Sequence, residues 1–282
     1  MQHDSAVCAR TSLVLPAEIG YARPASLAEA IDLLASNEGA RVLAGGQTLV
    51  NVMKARAASP EAVVDLAALD ELRGVELNGD GSLDIGAMTT ISDLIESSEA
   101  RARPILGEVA AQIADVQVRN RGTIGGNICA NDPTNHLPPL LVALDATMTI
   151  AGAGGERTVG ADDFFLGVYM TAAGPGEVLT SVHIPPGRRD GFASVTIGRD
   201  GTCIVSAAVS LEGDPRVVIG CVDAVPHRAT GVESKLNGDV SAAVAGLGAT
   251  LDPPSDVHAP AEYRQKVAEV VTARAIEQAR SR

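Results

Sequence analysis

Residues 42–49 read Val-Leu-Ala-Gly-Gly-Gln-Thr-Leu, a glycine pair set directly behind a short apolar run; residues 123–127 repeat the device as Thr-Ile-Gly-Gly-Asn. A glycine pair behind a buried strand lets the chain turn through angles closed to other residues. It also lets a ligand approach the main chain with no Cβ in the way. At Gly45 and Gly46, successive N–H groups can converge on an anion, with the Thr48 hydroxyl and the Gln47 amide beside them. Neither segment fits G-x-G-x-x-G, and no G-x-x-x-x-G-K-[ST] occurs, which disfavours both a Rossmann oxidoreductase and a P-loop ATPase. One glycine pair alone is ordinarily a tight turn. Two of them, each with a threonine and an amide residue close by, point to a shared anionic ligand.

Charge sharpens that reading. The formal net charge is -13, so the chain repels polyanions at long range and nucleic acid is excluded as a partner. A bound phosphate must be held by local donors against an unfavourable field, and main-chain N–H groups are the natural ones. The hydrophobic fraction is 46% but the aromatic fraction is 2%, with no Trp, so the core must be built from Ala, Val, Leu and Ile. The length of 282 residues suits one large domain or two modest ones. Cys8, Cys129, Cys203 and Cys221 form no C-x-x-C pair, so neither an iron–sulfur cluster nor a zinc site is expected on this chain. Free thiols suit a cytoplasmic protein. No apolar run approaches the roughly 20 residues of a membrane span, and residues 1–15 read as a short tail, not a signal peptide.

Along the chain, Ser26-Leu-Ala-Glu29 has capping-box form and opens a helix that Asn37 to Gly39 ends. Short strands at Arg41–Ala44 and Ala62–Asp65 complete a β-α-β-type unit. Strand Ser82–Ala87 follows, then helices at Thr90–Glu96 and Pro104–Ala114, a glycine-rich segment at Arg121–Asn127, and a helix at Pro138–Leu144. Strands are expected at Ala146–Ala151 and Val178–Ile184. After Pro185-Pro186-Gly187 the pattern changes to three strands with short loops, at Phe192–Ile197, Cys203–Leu211 and Val217–Val222, the form of an antiparallel meander. Turns fall at Arg199-Asp-Gly201 and Gly213-Asp-Pro215. Helices at Val240–Leu247 and Tyr263–Ala279 close the chain, the last with Tyr263, Val267, Val270, Val271 and Ile276 near helical spacing.

Several side chains carry two readings. Lys54 and Arg56 follow the first glycine segment, where solvation is the simpler role and contact with phosphate the sharper one. Arg119 and Arg121 either offset phosphate charge or face a protein partner. His136 reads as a polar loop residue, His183 as structural, Cys129 as a small packing residue, and Tyr169 as a core or interface residue.

In order, Gly20-Tyr-Ala-Arg-Pro-Ala-Ser-Leu-Ala-Glu-Ala30, Leu43-Ala-Gly-Gly-Gln-Thr-Leu49 and Thr123-Ile-Gly-Gly-Asn127 resemble the FAD subunits of the xanthine dehydrogenase and carbon monoxide dehydrogenase (molybdenum hydroxylase) family. So do Asp132-Pro133, Leu137-Pro-Pro139 with Ala143-Leu-Asp-Ala146, and Asp163-Phe-Phe165 with Tyr169 and Gly176-Glu177. Pro226-His-Arg228 with Glu233, Leu236-Asn-Gly238 and Tyr263-Arg264 are similar to its C-terminal domain. The resemblance runs from about Gly20 to the end of the chain.

It implies an α+β chain: a two-subdomain FAD-binding domain of the vanillyl-alcohol-oxidase (PCMH) type over 16–185, with subdomains of about 16–68 and 69–185. A small α/β domain of the CO-dehydrogenase flavoprotein type, an antiparallel three-stranded sheet with helices, follows over 186–282. It implies non-covalent FAD whose diphosphate lies between the two glycine loops. The cofactor-binding residues carried over are Ala44, Gly45, Gly46, Gln47, Thr48 and Leu49 from the first loop, Thr123, Gly125, Gly126 and Asn127 from the second, and Asp132. No catalytic or metal-ligating residue is expected. Molybdopterin and [2Fe-2S] clusters are expected only on partners, a large molybdopterin subunit and a small iron–sulfur subunit, assembled as a dimer of heterotrimers. The chain would relay electrons from those clusters to a terminal acceptor; the other reading is a self-contained flavin oxidoreductase of the same fold. Two positions depart from the family pattern. His136 stands where Asp is frequent, on the adenosine side, and Ser194 where Lys is frequent, near the flavin ring.

Overall fold

The computed structural model describes residues 18–198 and 201–282. The expected tail with Cys8, and the first two residues of the expected Arg199-Asp-Gly201 turn, lie outside them.

The first layer is a small parallel sheet. Strands β1 (Gly20–Ala22), β2 (Ala40–Leu43) and β3 (Ala62–Asp65) lie in the order β1-β3-β2. Helix α1 (Leu27–Ser36) crosses between the first two, its start fixed by the Ser26 hydroxyl accepting from the Glu29 N–H. The Glu29 carboxylate reaches back to the Ala25 N–H at 2.7 Å, one residue earlier than a capping box requires. Helix α2 (Leu49–Lys54) follows β2 after only the glycine turn. Ala30, Leu34, Val64, Leu66 and Leu69 make the core of this layer.

The second layer is antiparallel. Strands β4 (Val75–Leu77), β5 (Leu83–Gly86), β6 (Thr147–Gly152), β7 (Gly155–Gly160) and, later in the chain, β10 (Val178–Ile184) run in the order β4-β5-β10-β6-β7. Between β5 and β6 come helices α3 (Ile91–Glu96), α4 (Ile105–Ala110), α5 (Val116–Arg119), α6 (Ile124–Ala130) and α7 (Leu137–Ala143). Thr90 and Asp93 close a reciprocal capping box on α3, as the Thr90 start predicts. A one-turn helix α8 (Ala161–Phe164) and a hairpin of β8 (Phe165–Gly167) and β9 (Met170–Thr171) precede β10. All seven residues of α7 are buried, because the helix lies between this layer and the next.

The third layer is the expected meander with one strand more. Strands β11 (Asp190–Thr196), β12 (Cys203–Ser210), β13 (Arg216–Gly220) and β14 (His227–Arg228) lie side by side in chain order, each antiparallel to its neighbour. Alternation assigns the two faces of the sheet. Ala208 and Val218 pack with α7 residues, whereas Ala207, Val209, Val217 and Ile219 pack with the last helix. Every residue of β12 is consequently buried. Short helices α9 (Thr230–Glu233) and α10 (Val240–Val244) lead to α11 (Ala261–Arg280).

Some expectations are corrected. Strands β1, β4, β7, β8, β9 and β14 are too short or too polar for a sequence pattern to show. The helix expected to Ala114 ends at Ala110, and Ala114 itself stands at φ 43°, a left-handed angle no helix continues through. On α11, Tyr263 and Val270 are exposed at 46% and 48%. Val271 and Ile276 are buried as the spacing predicts, and Arg264, Ala268, Thr272, Ala275 and Ala279 complete the buried stripe. Small residues let the helix approach the sheet: a Cβ on Gly191 would stand 1.9 Å from the Ala275 carbonyl oxygen.

Candidate cofactor cleft

The two glycine segments meet. A Cβ on Gly122 would be 3.7 Å from the Gln47 side chain, and one on Gly126 would be 3.4 Å from Ala44 Cβ. The turn after β2 therefore lies on the segment that leads into α6. Gly46 holds φ 73°, an angle that costs glycine nothing and other residues strain.

That turn leaves its donors free. Among the described residues, no protein acceptor receives the main-chain N–H of Gly45, Gly46, Gln47 or Thr48. The Gln47 side chain turns back on the Gly45 carbonyl at 3.1 Å, and Asn51 Nδ2 donates to the Gln47 carbonyl at 2.7 Å. Both bonds brace the turn without consuming its amides. Thr48 is exposed and makes no capping bond. Over this turn lies a cleft of about 300 Å³, lined by Leu43, Ala44, Gly45, Gly46, Gln47, Val50, Asn51, Lys54, Asp65 and Arg121.

The second segment behaves differently. It is the first turn of α6, and its amides are spent inside the protein. Ile124 donates to the Thr89 carbonyl at 3.0 Å and Gly125 to that of Ala87 at 2.9 Å. Gly126 donates to the Thr123 hydroxyl at 3.0 Å, and Asn127 to the Thr123 carbonyl. Gly125 is glycine for packing, since a Cβ there would meet Ala87 at 2.7 Å. The expectation that both turns offer free amides thus holds at the first turn only. Thr123, Gly125 and Gly126 form the support on which the first turn rests. Asn127 keeps one open valence: its Oδ1 is buried and finds no partner.

Asp132 does not reach the cleft. Its Oδ1 accepts from the Thr134 N–H at 2.9 Å and hydroxyl at 2.7 Å, and its Oδ2 accepts from the Tyr169 hydroxyl at 3.0 Å. Tyr169 is 63% exposed, so it is not a core residue. His136 corrects the reading of a polar loop residue. It is buried, its ring tilted against Phe192 at 5.2 Å, with Nδ1 unpaired. Ser194 donates only a long contact of 3.4 Å to Gln112. His183 is structural, its Nδ1 lying 2.8 Å from Asp84 Oδ1. Burial pushes the Cys129 thiol up to about 12, which leaves it an inert packing group. Among the described residues no group of His, Cys, Asp and Glu is arranged to hold a metal.

The donor set fits a diphosphate: uncharged main-chain amides at Gly45, Gly46 and Gln47 and two cationic residues, Lys54 and Arg121, around one cleft. Residues 17–187 match the family model of the FAD binding domain in molybdopterin dehydrogenase. The chain belongs to that family. Residues 199–279 match the CO dehydrogenase flavoprotein C-terminal domain. The carbon monoxide dehydrogenase medium chain of Afipia carboxidovorans is 39% identical over 286 residues, covering 95% of this chain and 99% of that protein. Two solved structures superpose over 95% of this chain and 99% of theirs. Carbon monoxide dehydrogenase from Hydrogenophaga pseudoflava does so at a TM-score of 0.89 and 36% identity. Quinoline 2-oxidoreductase from Pseudomonas putida 86 does so at 0.88 and 33%. Relatives at similar distance thus carry names with chemically unlike substrates.

Proposed function

We propose that this chain is the flavin subunit of a multi-subunit molybdenum hydroxylase, holding FAD non-covalently and passing electrons from partner-borne iron–sulfur clusters to a terminal acceptor. The observation that carries the reading is the run of unpaired amides at Gly45–Thr48, facing a cleft in a chain that spans 99% of a carbon monoxide dehydrogenase medium chain. FAD, when bound, supplies the capacity to take electrons singly, store two and release them. The protein's own tasks are narrower. Gly45 and Gly46 let the diphosphate approach the main chain, and Gln47 and Asn51 keep the turn rigid. Thr48, Leu49 and Asn127 complete the contacts, and Thr123, Gly125 and Gly126 hold the support beneath. Asp132 acts through Tyr169 and the turn it anchors, at one remove from the cleft.

Substrate oxidation belongs on this reading to a large molybdopterin subunit, and delivery of electrons to a small iron–sulfur subunit. The assembly is a dimer of heterotrimers in the cytoplasm. FAD occupies a unit over 16–185, with 186–282 as the C-terminal unit. No helix among the described residues is long and apolar enough to cross a membrane. The test is spectroscopic. The purified chain is expected to be yellow with releasable FAD, and substrate is expected to bleach it only when both partner subunits are present. Bleaching by substrate in the isolated chain would overturn the relay and favour a self-contained flavin enzyme.

A further inference from the structure

Two cations reach the same cleft from different parts of the chain. Lys54 closes helix α2, and Arg121 stands immediately before Gly122, where the second glycine segment begins; both side chains line the cleft over Gly45 and Gly46. Their surroundings set them apart from many other cations of this chain. Eight arginines among the described residues are held by a carboxylate. Arg103 has Asp190, Arg157 has Glu177, Arg228 has Glu233 and Arg264 has Asp256. Among the described residues, Lys54 and Arg121 form no ion pair and donate no side-chain hydrogen bond. Arg119, the other arginine beside the second segment, is committed elsewhere: its guanidinium donates to the carbonyls of Ile113 and Ala114 at 2.9 and 2.7 Å.

One carboxylate also lines the cleft, and it faces its own donors. Asp65 Oδ2 accepts from the Tyr21 hydroxyl at 2.6 Å and Oδ1 from the Ala67 N–H at 2.9 Å. Two cations and one carboxylate leave the cleft formally positive by one, inside a chain whose net charge is -13. A local reversal of sign against so negative a background raises the local concentration of an anion, which is how a charged cleft selects its ligand.

We infer that Lys54 and Arg121 form a cationic clamp on the FAD diphosphate, one from each side of the Gly45–Gly46 turn, and thereby select a phosphate-bearing flavin over riboflavin. The inference rests on the reading of the cleft as the diphosphate site. The amides of Gly45–Thr48 supply direction but carry no net charge; the two side chains supply the charge. Arg121, in this arrangement, is a ligand contact and not a docking residue for a protein partner.

The experiment titrates flavin into the full-length apoprotein, following fluorescence quenching from low to moderate salt. Five variants are compared with wild type: Lys54→Met, Arg121→Met, the double variant, Lys54→Arg as a rescue, and Lys235→Met as an exposed charge-loss control outside the cleft. Each clamp substitution is expected to raise the Kd for FAD about three- to tenfold at low salt, the range for hydrogen bonds to charged groups at partly exposed sites. The double variant should lose most of the salt dependence, since the screened charges are gone. Riboflavin binding should be the same in all proteins, Lys235→Met should match wild type, and Lys54→Arg should restore most of the FAD affinity. Unchanged FAD affinity in the double variant overturns the clamp, as does an equal loss for FAD and riboflavin. So does an Arg121→Met protein that keeps FAD and fails only to assemble with partner subunits. A folded wild-type chain that takes up no FAD at all would instead overturn the cleft reading, leaving a result distinct from failure of the clamp.

Discussion

The Cα of Gly45 lies against the carbonyl of Arg121 so closely that a Cβ there would stand 2.0 Å from the oxygen and 2.9 Å from Gly122 Cα. Both obstacles are main chain, so no side-chain rotation relieves them. Gly45→Ala is expected to part the two segments and dislodge the Gly46–Thr48 amides from their common focus. Overpacking of this kind costs about 1–3 kcal/mol, spread here between folding and cofactor affinity. The variant should be isolated pale, with its thermal midpoint lowered by several degrees, on absorbance at the flavin bands and differential scanning calorimetry. A yellow protein of unchanged stability would show that the contact is not maintained in solution.

Asn127 separates structural from ligand roles. Its buried Oδ1 has no partner in the protein, and an unsatisfied buried acceptor costs stability of about 1–3 kcal/mol. Asn127→Leu removes that acceptor, so the apoprotein should be as stable as wild type or more so, while FAD affinity falls. Paired denaturation of the apo and FAD-loaded forms reads both effects. Loss of apoprotein stability in the variant would assign Asn127 to the scaffold.

How far the sequence disclosed this arrangement depended on the range of the interactions. The first turn was legible because its chemistry is local: a strand, two glycines, an amide and a hydroxyl within residues 42–49. The meander was legible because β12 and β13 are short, nearly continuous apolar runs between short turns. The internal pairing of the second segment was not, because its acceptors at Ala87 and Thr89 come from a distant strand end. His136 was misread for the same reason: only the approach of β11 brings Phe192 to cover it. On α11 the spacing found Val271 and Ile276, but Tyr263 and Val270 fall outside the buried stripe, since close approach to the sheet selects alanine there.

Arg103 and Asp190 are the most completely buried ion pair described, with side chains 3% and 1% exposed. The guanidinium grips the carboxylate through two bonds of 2.8 and 2.9 Å, donates to Ser210 Oγ at 3.1 Å and reaches the Pro185 carbonyl. It thereby ties the segment before α4 to the start of β11, across the chain between the second and third layers. Removing one partner strands the other charge, which costs about 3–5 kcal/mol. Asp190→Asn and Arg103→Met should each lower the unfolding free energy by that amount, read from the fall in the urea midpoint. Arg103→Met combined with Asp190→Leu should recover a substantial part, because an apolar pair leaves no buried charge unpaired. Additive losses in the double variant would mean that the pair is not coupled.

Asp256 sets a measurable pH dependence on the third layer. Its carboxylate accepts from the Ala259 and His258 N–H groups at 3.0 and 2.9 Å and from the Arg264 guanidinium at 2.7 Å. The two main-chain donors, with Arg264 behind them, hold its pKa at about 2, against an ordinary 3.8. Arg264 is buried at 4% exposure and also donates to the carbonyls of Ile204 and Cys221, so the ionised Asp256 orients the side chain that pins α11 to β12. A carboxyl whose pKa is depressed on folding stabilises the folded state above its unfolded pKa, and that contribution disappears as pH falls through the folded value. The stabilisation is therefore whole above about pH 4 and is lost between there and the folded pKa of about 2. Other depressed carboxyls, Glu177 beside Arg157 among them, steepen the same limb, so the difference between wild type and Asp256→Asn is the informative quantity. Asp256→Asn should be less stable at neutral pH, and the gap should close as pH falls through that window, read as the separation of two urea-unfolding midpoints. A gap that stays constant down to the acid limit would show that the side chain, and not its charge, holds the loop.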